Sequence, residues 1–272
     1  MTEEQNEAET TSVPTQPNFL ILCMDQWDTR MELPPDLELP ALERLQSRGV
    51  TFDRAYCTTP ICTPSRATMW TGVHAKDTGL WDNTNFAWID ELRDDVPTLG
   101  HMLRDQGYYT AFKGKWHLSE VEHSEDALER YGFADFQQWG EMFGAPLQGE
   151  QLDGTAAFET VDWLESRPQE LAGRPWLLIS SLINPHDIMF FQSDPIEKPH
   201  PNGVMDGLQT TRQRLGWFER KWDVRLPDNF NDDYELQPPG VRNYKEFIDL
   251  NYGHLPRTLS TTLPVPYRTI SI

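Results

Sequence analysis

An α/β fold, a mostly parallel sheet flanked by helices, is the class this sequence predicts, and three observations predict it. Apolar runs of strand length recur along the chain, "FLILCM" near the start and "WLLISSLI" well beyond it. Stretches of helical character lie between them. Each predicted strand runs directly into polar, chemistry-bearing residues, as in a sheet whose carboxyl edge holds a site.

The elements follow in order. Asn18–Met24 is a continuous apolar run, which reads as a strand buried on both faces, and it ends at Asp25. Ala41–Gly49 reads as a short helix closed by its glycine, and Val50–Cys57 ("VTFDRAYC") as the next strand. Thr63 is placed to cap a helix whose first turn holds Pro64, Ser65 and Arg66, because proline suits the first helical position, and Gly72 closes it. "VPTLGHMLRDQG" reads as a helix stopped at Gly107, with a strand from about Tyr108 and a polar loop from Lys113. "DGTAAFETVDWLESRP" predicts a helix with Asp153 as N-cap and Pro168 beyond its end. Trp176–Ile183 is another buried strand, running into "NPHD". From Met189 the chain turns loop-rich and proline-rich and reads as an excursion over the sheet edge, not a second domain. The expected divisions are a flexible acidic leader over 1–16, a partial catalytic domain over 17–250 and a tail over 251–272.

Composition narrows the function classes. The chain has 272 residues, 38% hydrophobic and 24% charged, with ten Trp and thirteen Phe, enough apolar material for a packed core. A net charge of −20 excludes nucleic acid and anionic membrane as partners, since both need a basic surface. It also means that an anionic substrate needs a local cationic cluster. Three cysteines are too few and too odd for a disulfide framework and show no zinc spacing, and Cys23 and Cys57, inside apolar runs, read as core. The leader has neither a basic start nor an apolar stretch, and no run reaches membrane-spanning length, so a cytoplasmic protein is expected.

Asp25 and Gln26 follow the first strand, Cys62 and Arg66 lie after the second, Lys113, Lys115 and His117 follow the third, and Asn184, His186 and Asp187 the fourth. Read singly, each has an ordinary account: a capping Asp, solvated lysines, a buried thiol. Carried together on one sheet edge they form an active-site inventory of acid, thiol, cations and imidazoles. The stretch "CTTPICTPSRATMWTG" is then either a turn with a buried thiol or a nucleophile mounted at a helix start, where free N–H groups and the dipole favour an anion. His74, His101, His123, His200 and His254 show no distinguishing spacing and read as structural.

"CTPSRATMWTG" resembles the signature of the type I sulfatases, a Cys-x-Pro-Ser-Arg core followed by Thr-Gly. "PNFLILCMDQ" resembles that family's opening strand and first metal carboxylate, "GYYTAFKGKWHL" its Gly-Lys-Trp-His-Leu block and "SLINPHDI" its later Pro-His element. The resemblance covers roughly residues 17 to 250. It implies an alkaline-phosphatase-like α/β fold, incomplete at its carboxyl end, and hydrolysis of a small-molecule sulfate ester. It also implies that Cys62 is a precursor, converted by a formylglycine-generating enzyme to formylglycine. By the same resemblance, Asp25 and the oxygen on converted Cys62 would ligate a divalent metal, calcium (Ca2+) by family analogy. Arg66 would hold the diol, Lys115 would bridge diol and sulfate, His117 would act as base, and His186 would bind sulfate or protonate the leaving oxygen. Lys113 receives no role.

Two departures stand out. Gln26 follows Asp25 where many family members carry a second acid, and its amide oxygen is an uncharged ligand. The family's later Asp-Asn or Asp-His metal pair has no counterpart in "NYGHLPRTLSTTLPVPYRTISI". Three readings therefore stand: a sulfatase impaired by truncation, a phosphodiesterase or phosphonate monoester hydrolase of the same superfamily, and a non-catalytic sulfatase fragment.

Overall fold

The computed structural model describes residues 16–28, 33–34, 36–137, 148–187, 221–223, 236–252 and 262–264. The chain divides into two compact units, Met1–Asp25 with Tyr56–Asp187, and Gln26–Ala55 with Ile188–Ile272. The expected leader and most of the loop-rich stretch and the tail lie outside the described residues.

The first unit is built on a parallel sheet of β1 (Phe19–Met24), β2 (Tyr109–Gly114) and β3 (Trp176–Leu182), in the order β1-β3-β2. Register pairs Met24 with Leu182 and Gly114 with Ser181, so the three carboxyl ends lie along one edge. Alternation sorts the strand residues to two faces. Phe112, Leu177 and Ile179 enter a core with Ala67 and Trp70 of α2 (Cys62–Thr71), and the rings of Trp70 and Trp116 meet Phe112 edge-on at 5.8 and 5.4 Å. Ala111 and Leu178 face the other way, onto Trp163 of the long helix α5 (Gln148–Glu170). Two short helices, α3 (Ala75–Thr78) and α4 (Leu99–Arg104), complete the first face, α4 opened by a capping box between Thr98 and His101.

In the second unit, α1 (Pro40–Arg48) ends at Gly49 as expected. β4 (Lys221–Asp223) pairs antiparallel with β5 (Thr262–Pro264), and α6 spans Pro239–Tyr252. Among the described residues, no helix is long and apolar enough to cross a membrane.

Several local expectations are corrected. Val50–Cys57 forms no strand: Asp53 and Arg54 turn in its middle, Val50, Phe52 and Tyr56 are exposed, and so is Cys57, which was expected in the core. β1 is not buried on both faces; among described strands only β3 pairs with it, and Leu22 is 53% exposed. α2 starts two residues earlier than predicted, with Ile61 at the cap position, so Thr63 and Pro64 lie inside the first turn. Asp153 is buried within α5, whose first residue is Gln148, and Pro168 lies inside its last turn, where it forgoes the hydrogen bond an N–H would make one turn back. Lys113 and Gly114 still belong to β2, so the polar loop begins at Lys115.

Candidate active site

Asp25 is the first residue beyond β1, and its N–H donates to Leu182 O at 3.3 Å, which fixes it against β3. Cys62 opens α2, with its Sγ 3.8 Å from Asp25 Oδ2 and 3.7 Å from Lys115 Nζ. Lys115 reaches this point because Gly114 precedes it. With φ at +87°, and Ser181 O lying 2.0 Å from where a Cβ would sit, Gly114 lets β2 press against β3 and then turn. Lys115 N donates to the same Ser181 oxygen at 2.7 Å, and its wholly buried ammonium closes on Asp25 Oδ2.

Arg66 is one helical turn beyond Cys62 and is buried. Its guanidinium donates to Lys115 O at 2.7 Å and to Ser181 Oγ at 2.9 Å and lies 3.4 Å from Asp25 Oδ2. Two cations therefore share one carboxylate. Burial resists ionisation of Asp25, but Arg66 and then Lys115 outweigh it and hold its pKa near 2.

His186 arrives from the turn after β3, where the Asn184–Pro185 peptide is cis. Burial disfavours its charge, but hydrogen bonding to Asp187 and to the Cys62 thiol prevails and raises its pKa. Burial likewise opposes the Cys62 thiolate, yet the bond to His186 and the charge of Lys115 bring that thiol below its ordinary value. His117 differs. Burial, then the Lys115 and Arg66 charges, push it well below the usual imidazole range, so it is neutral. Its carbonyl accepts from Thr63 Oγ1 at 2.8 Å, which ties the loop after β2 to the first turn of α2.

Asp25, Cys62, Arg66, Lys115 and His186 thus lie together. Lys113 does not join them: it projects from the other side of β2 toward Glu159 of α5 at 3.7 Å. Several supporting residues went unassigned from sequence. Asn83 Oδ1 accepts the Thr63 N–H at 3.0 Å and caps α2 from outside the helix. Ser181 orients Arg66. Asp187 accepts the N–H groups of Gly149 and Glu150 at 3.0 and 3.4 Å, and Asp153 accepts those of Ile183 and Asn184 at 2.7 and 2.8 Å. The first turns of α5 therefore hold the turn that carries His186. Asp187, two residues beyond Pro185, carried a signal, since it stands with the other polar residues after β3, and Asp153 carried one only as a helix cap.

Donor atoms of Asp25, Cys62 and His186 all lie within 4.8 Å of one another, a group that could hold a metal ion. Its chemistry is one oxygen, one sulfur and one nitrogen, with two cations already on the oxygen. Calcium takes six to eight oxygens. Among the described residues this group does not fit calcium by itself. A hydroxyl on Cβ of residue 62 fits better, because a carboxylate, an ammonium and an imidazole already surround the sulfur it would replace.

The sequence matches the Sulfatase family over residues 17–246. It is 28% identical to the Delta 4,5-hexuronate-2-O-sulfatase of Bacteroides thetaiotaomicron over 235 residues, covering 83% of this chain and 43% of that protein. It is 34% identical to arylsulfatase K of Gallus gallus over 228 residues, 78% of this chain and 40% of that one. The solved structure of a 2-O GAG sulfatase superposes with a TM-score of 0.53 at 24% identity, over 86% of this chain and 45% of that one, and shares its fold. The chain spans about half the length of the curated relatives it matches. With the parallel sheet, the Cys-x-Pro-Ser-Arg helix start and the match over most of its length, this chain belongs to the sulfatases of the alkaline phosphatase superfamily and represents the amino-terminal part of their fold.

Proposed function

We propose that the chain carries the nucleophile half of a sulfuric ester hydrolase site, with Cys62 converted to formylglycine by a separate formylglycine-generating enzyme. The observation that carries the proposal is the position of Cys62 at the first turn of α2, with Lys115 and Asp25 within 4 Å of its sulfur. The hydrated aldehyde supplies a hydroxyl able to attack sulfur, and a second hydroxyl through which sulfate can later be expelled.

The chain's own residues then divide the work. Asp25, held ionised, accepts a proton-bearing hydroxyl and orients it. Lys115 places a buried ammonium where charge grows on the sulfuryl oxygens, and Arg66, fixed by two hydrogen bonds, adds a second cation that needs no reorganisation. These charges gather an anionic ester against a net charge of −20. His186, whose pKa is raised, is the proton donor to the departing alcohol, and neutral His117 is the acceptor when sulfate is expelled. A divalent cation, calcium by family analogy, would take Asp25 and the residue-62 oxygen as its share of ligands, and further oxygens must complete it. A cytoplasmic location belongs to the same proposal.

The test has two parts. The tryptic peptide Ala55–Arg66, from chain coexpressed with a formylglycine-generating enzyme, is weighed; conversion of Cys62 to the aldehyde is expected, and a persistent thiol overturns the proposal. An aryl sulfate and an aryl phosphodiester are then offered in parallel. Cleavage is expected to favour the sulfate and to be slow, because the described residues leave a cation short of oxygens. Preference for the phosphodiester moves the chain to that branch of the superfamily. Conversion with no turnover of either ester makes it a non-catalytic fragment.

A further inference from the structure

Loop 81–91 is anchored with unusual firmness for a surface segment. Leu80 and Leu92 at its two ends are fully buried. Leu92 N donates to Leu118 O, and Leu92 O accepts from Tyr131 Oη, both at 2.8 Å. Inside the loop, Phe86 N donates to Asn83 O at 3.1 Å and Ile89 N to Phe86 O at 2.9 Å, forming two successive turns. Its middle is pinned to the nucleophile helix: Asn83 takes the Thr63 N–H, and Thr84 N donates to Thr63 Oγ1 at 3.3 Å. Thr63 is the residue beside Cys62.

On this fixed loop, Phe86 and Trp88 stack with ring centroids 4.8 Å apart and planes 13° from parallel, and Trp88 is 67% exposed. The anchored loop thus presents an exposed indole backed by a phenyl ring, an apolar surface held in a fixed place. Trp88 is five residues from Asn83, at most about 18 Å of extended chain, and the two turns shorten that reach. The stack is therefore tethered to the residue that follows Cys62 by a short, turned stretch of chain.

We propose that the Phe86–Trp88 stack is a subsite for the alcohol half of the ester, taking the flat face of a hydroxylated six-membered ring, as in a sulfated pyranoside. Near-parallel rings make a slab rather than a cage. A slab suits a ring face, whereas a quaternary ammonium needs aromatic walls at steep angles. Asp82 and exposed Asp90 bracket the stack in sequence, four residues before Phe86 and two after Trp88, and supply carboxylates that ring hydroxyls could use and a plain aryl group could not. This subsite rests on the sulfate-ester reading of the Cys62 site.

Calorimetric titration of the unconverted chain tests it, with sodium sulfate, a monosulfated disaccharide and 4-nitrophenyl sulfate as probes. Trp88→Ala is expected to weaken the disaccharide about tenfold, about 1.4 kcal/mol, with sulfate unchanged and Trp88→Phe restoring most of the loss. Equal disaccharide affinity in wild type and Trp88→Ala overturns the subsite and leaves the sulfate site standing. So does a larger loss for the aryl ester than for the disaccharide, which removes the hydroxylated ring. Wild-type chain that binds neither sulfate nor either ester overturns the Cys62 reading and the subsite together.

Discussion

Asp153 accepts the backbone N–H of Ile183 at 2.7 Å, so a carboxylate in the second turn of α5 fastens the end of β3 from thirty residues away. Its other oxygen takes the Asn184 N–H at 2.8 Å. Burial nevertheless dominates and lifts its pKa to about 6, against an ordinary 3.8.

That shift has a pH signature. Between 3.8 and about 6 the folded chain binds more protons at Asp153 than the unfolded chain does, so this residue's contribution to stability falls as pH rises through that window. An amide does not titrate there. The stability advantage of wild type over Asp153→Asn is therefore expected to shrink by about 2 kcal/mol between pH 4 and pH 7. Urea unfolding of both chains across that range measures it, and a constant gap would refute it.

Gly114→Ala sets a side chain 2.0 Å from the Ser181 carbonyl oxygen at a left-handed φ of +87°. Backbone cannot yield as a flexible side chain can. A loss of about 3 kcal/mol or more is expected, with the melting temperature as readout. Near-native melting would mean that β2 and β3 separate more easily than their pairing implies.

Arg66→Lys keeps the charge but loses the planar guanidinium, whose Nη1 serves Lys115 O and Ser181 Oγ while Nη2 faces Asp25. Arg66→Ala goes further and leaves Asp25 with one buried cation. The expected costs are about 1–2 kcal/mol for the lysine and about 3 kcal/mol for the alanine. Chaotrope unfolding orders the two, and equal losses would assign Arg66 a packing role alone.

Asn83→Ala removes the cap that α2 receives from outside its own segment and is expected to cost about 1 kcal/mol, whereas Asn83→Asp retains the acceptor. Paired thermal melts decide this. An alanine variant as stable as wild type would show that Thr63 N–H finds another partner.

In unconverted chain, the Cys62 thiol is expected to alkylate with a midpoint below its ordinary value of 9.0, because His186 and Lys115 favour the thiolate against the cost of burial. Peptide-resolved iodoacetamide labelling against pH reads it directly. Lys115→Met should raise the midpoint; no change would place the lysine's influence elsewhere.

The sheet was legible because β2 and β3 are apolar runs buried where pattern places them, and the Cys62–Gly72 helix because its motif and closing glycine are local. What pattern could not supply was partnership. "VTFDRAYC" alternates as a strand should, yet no described strand pairs with it and a turn divides it. Asp153 looks like a cap by composition, and only the end of β3, distant in sequence, makes it an anchor. Asn83 caps a helix twenty residues before it, and Ser181 sits in an apolar strand with no sign that Arg66 will reach it. The strand-end residues could be listed from sequence, but the separation of Lys113 from Lys115 depended on where β2 stops. Two residues of extra strand point the first toward α5 and leave the second to turn into the crevice.

Pro64 and Arg66, the two residues that mark the cysteine motif, are both buried once α2 has packed, with Arg66 only 3% exposed. A converting enzyme that reads Cys-x-Pro-x-Arg as an extended strip cannot grip it in the finished molecule. On the conversion proposed for Cys62, maturation would be a matter of timing, a race between the visiting enzyme and the chain's own collapse. Variants that fold faster should leave the ribosome with more of their Cys62 still a thiol.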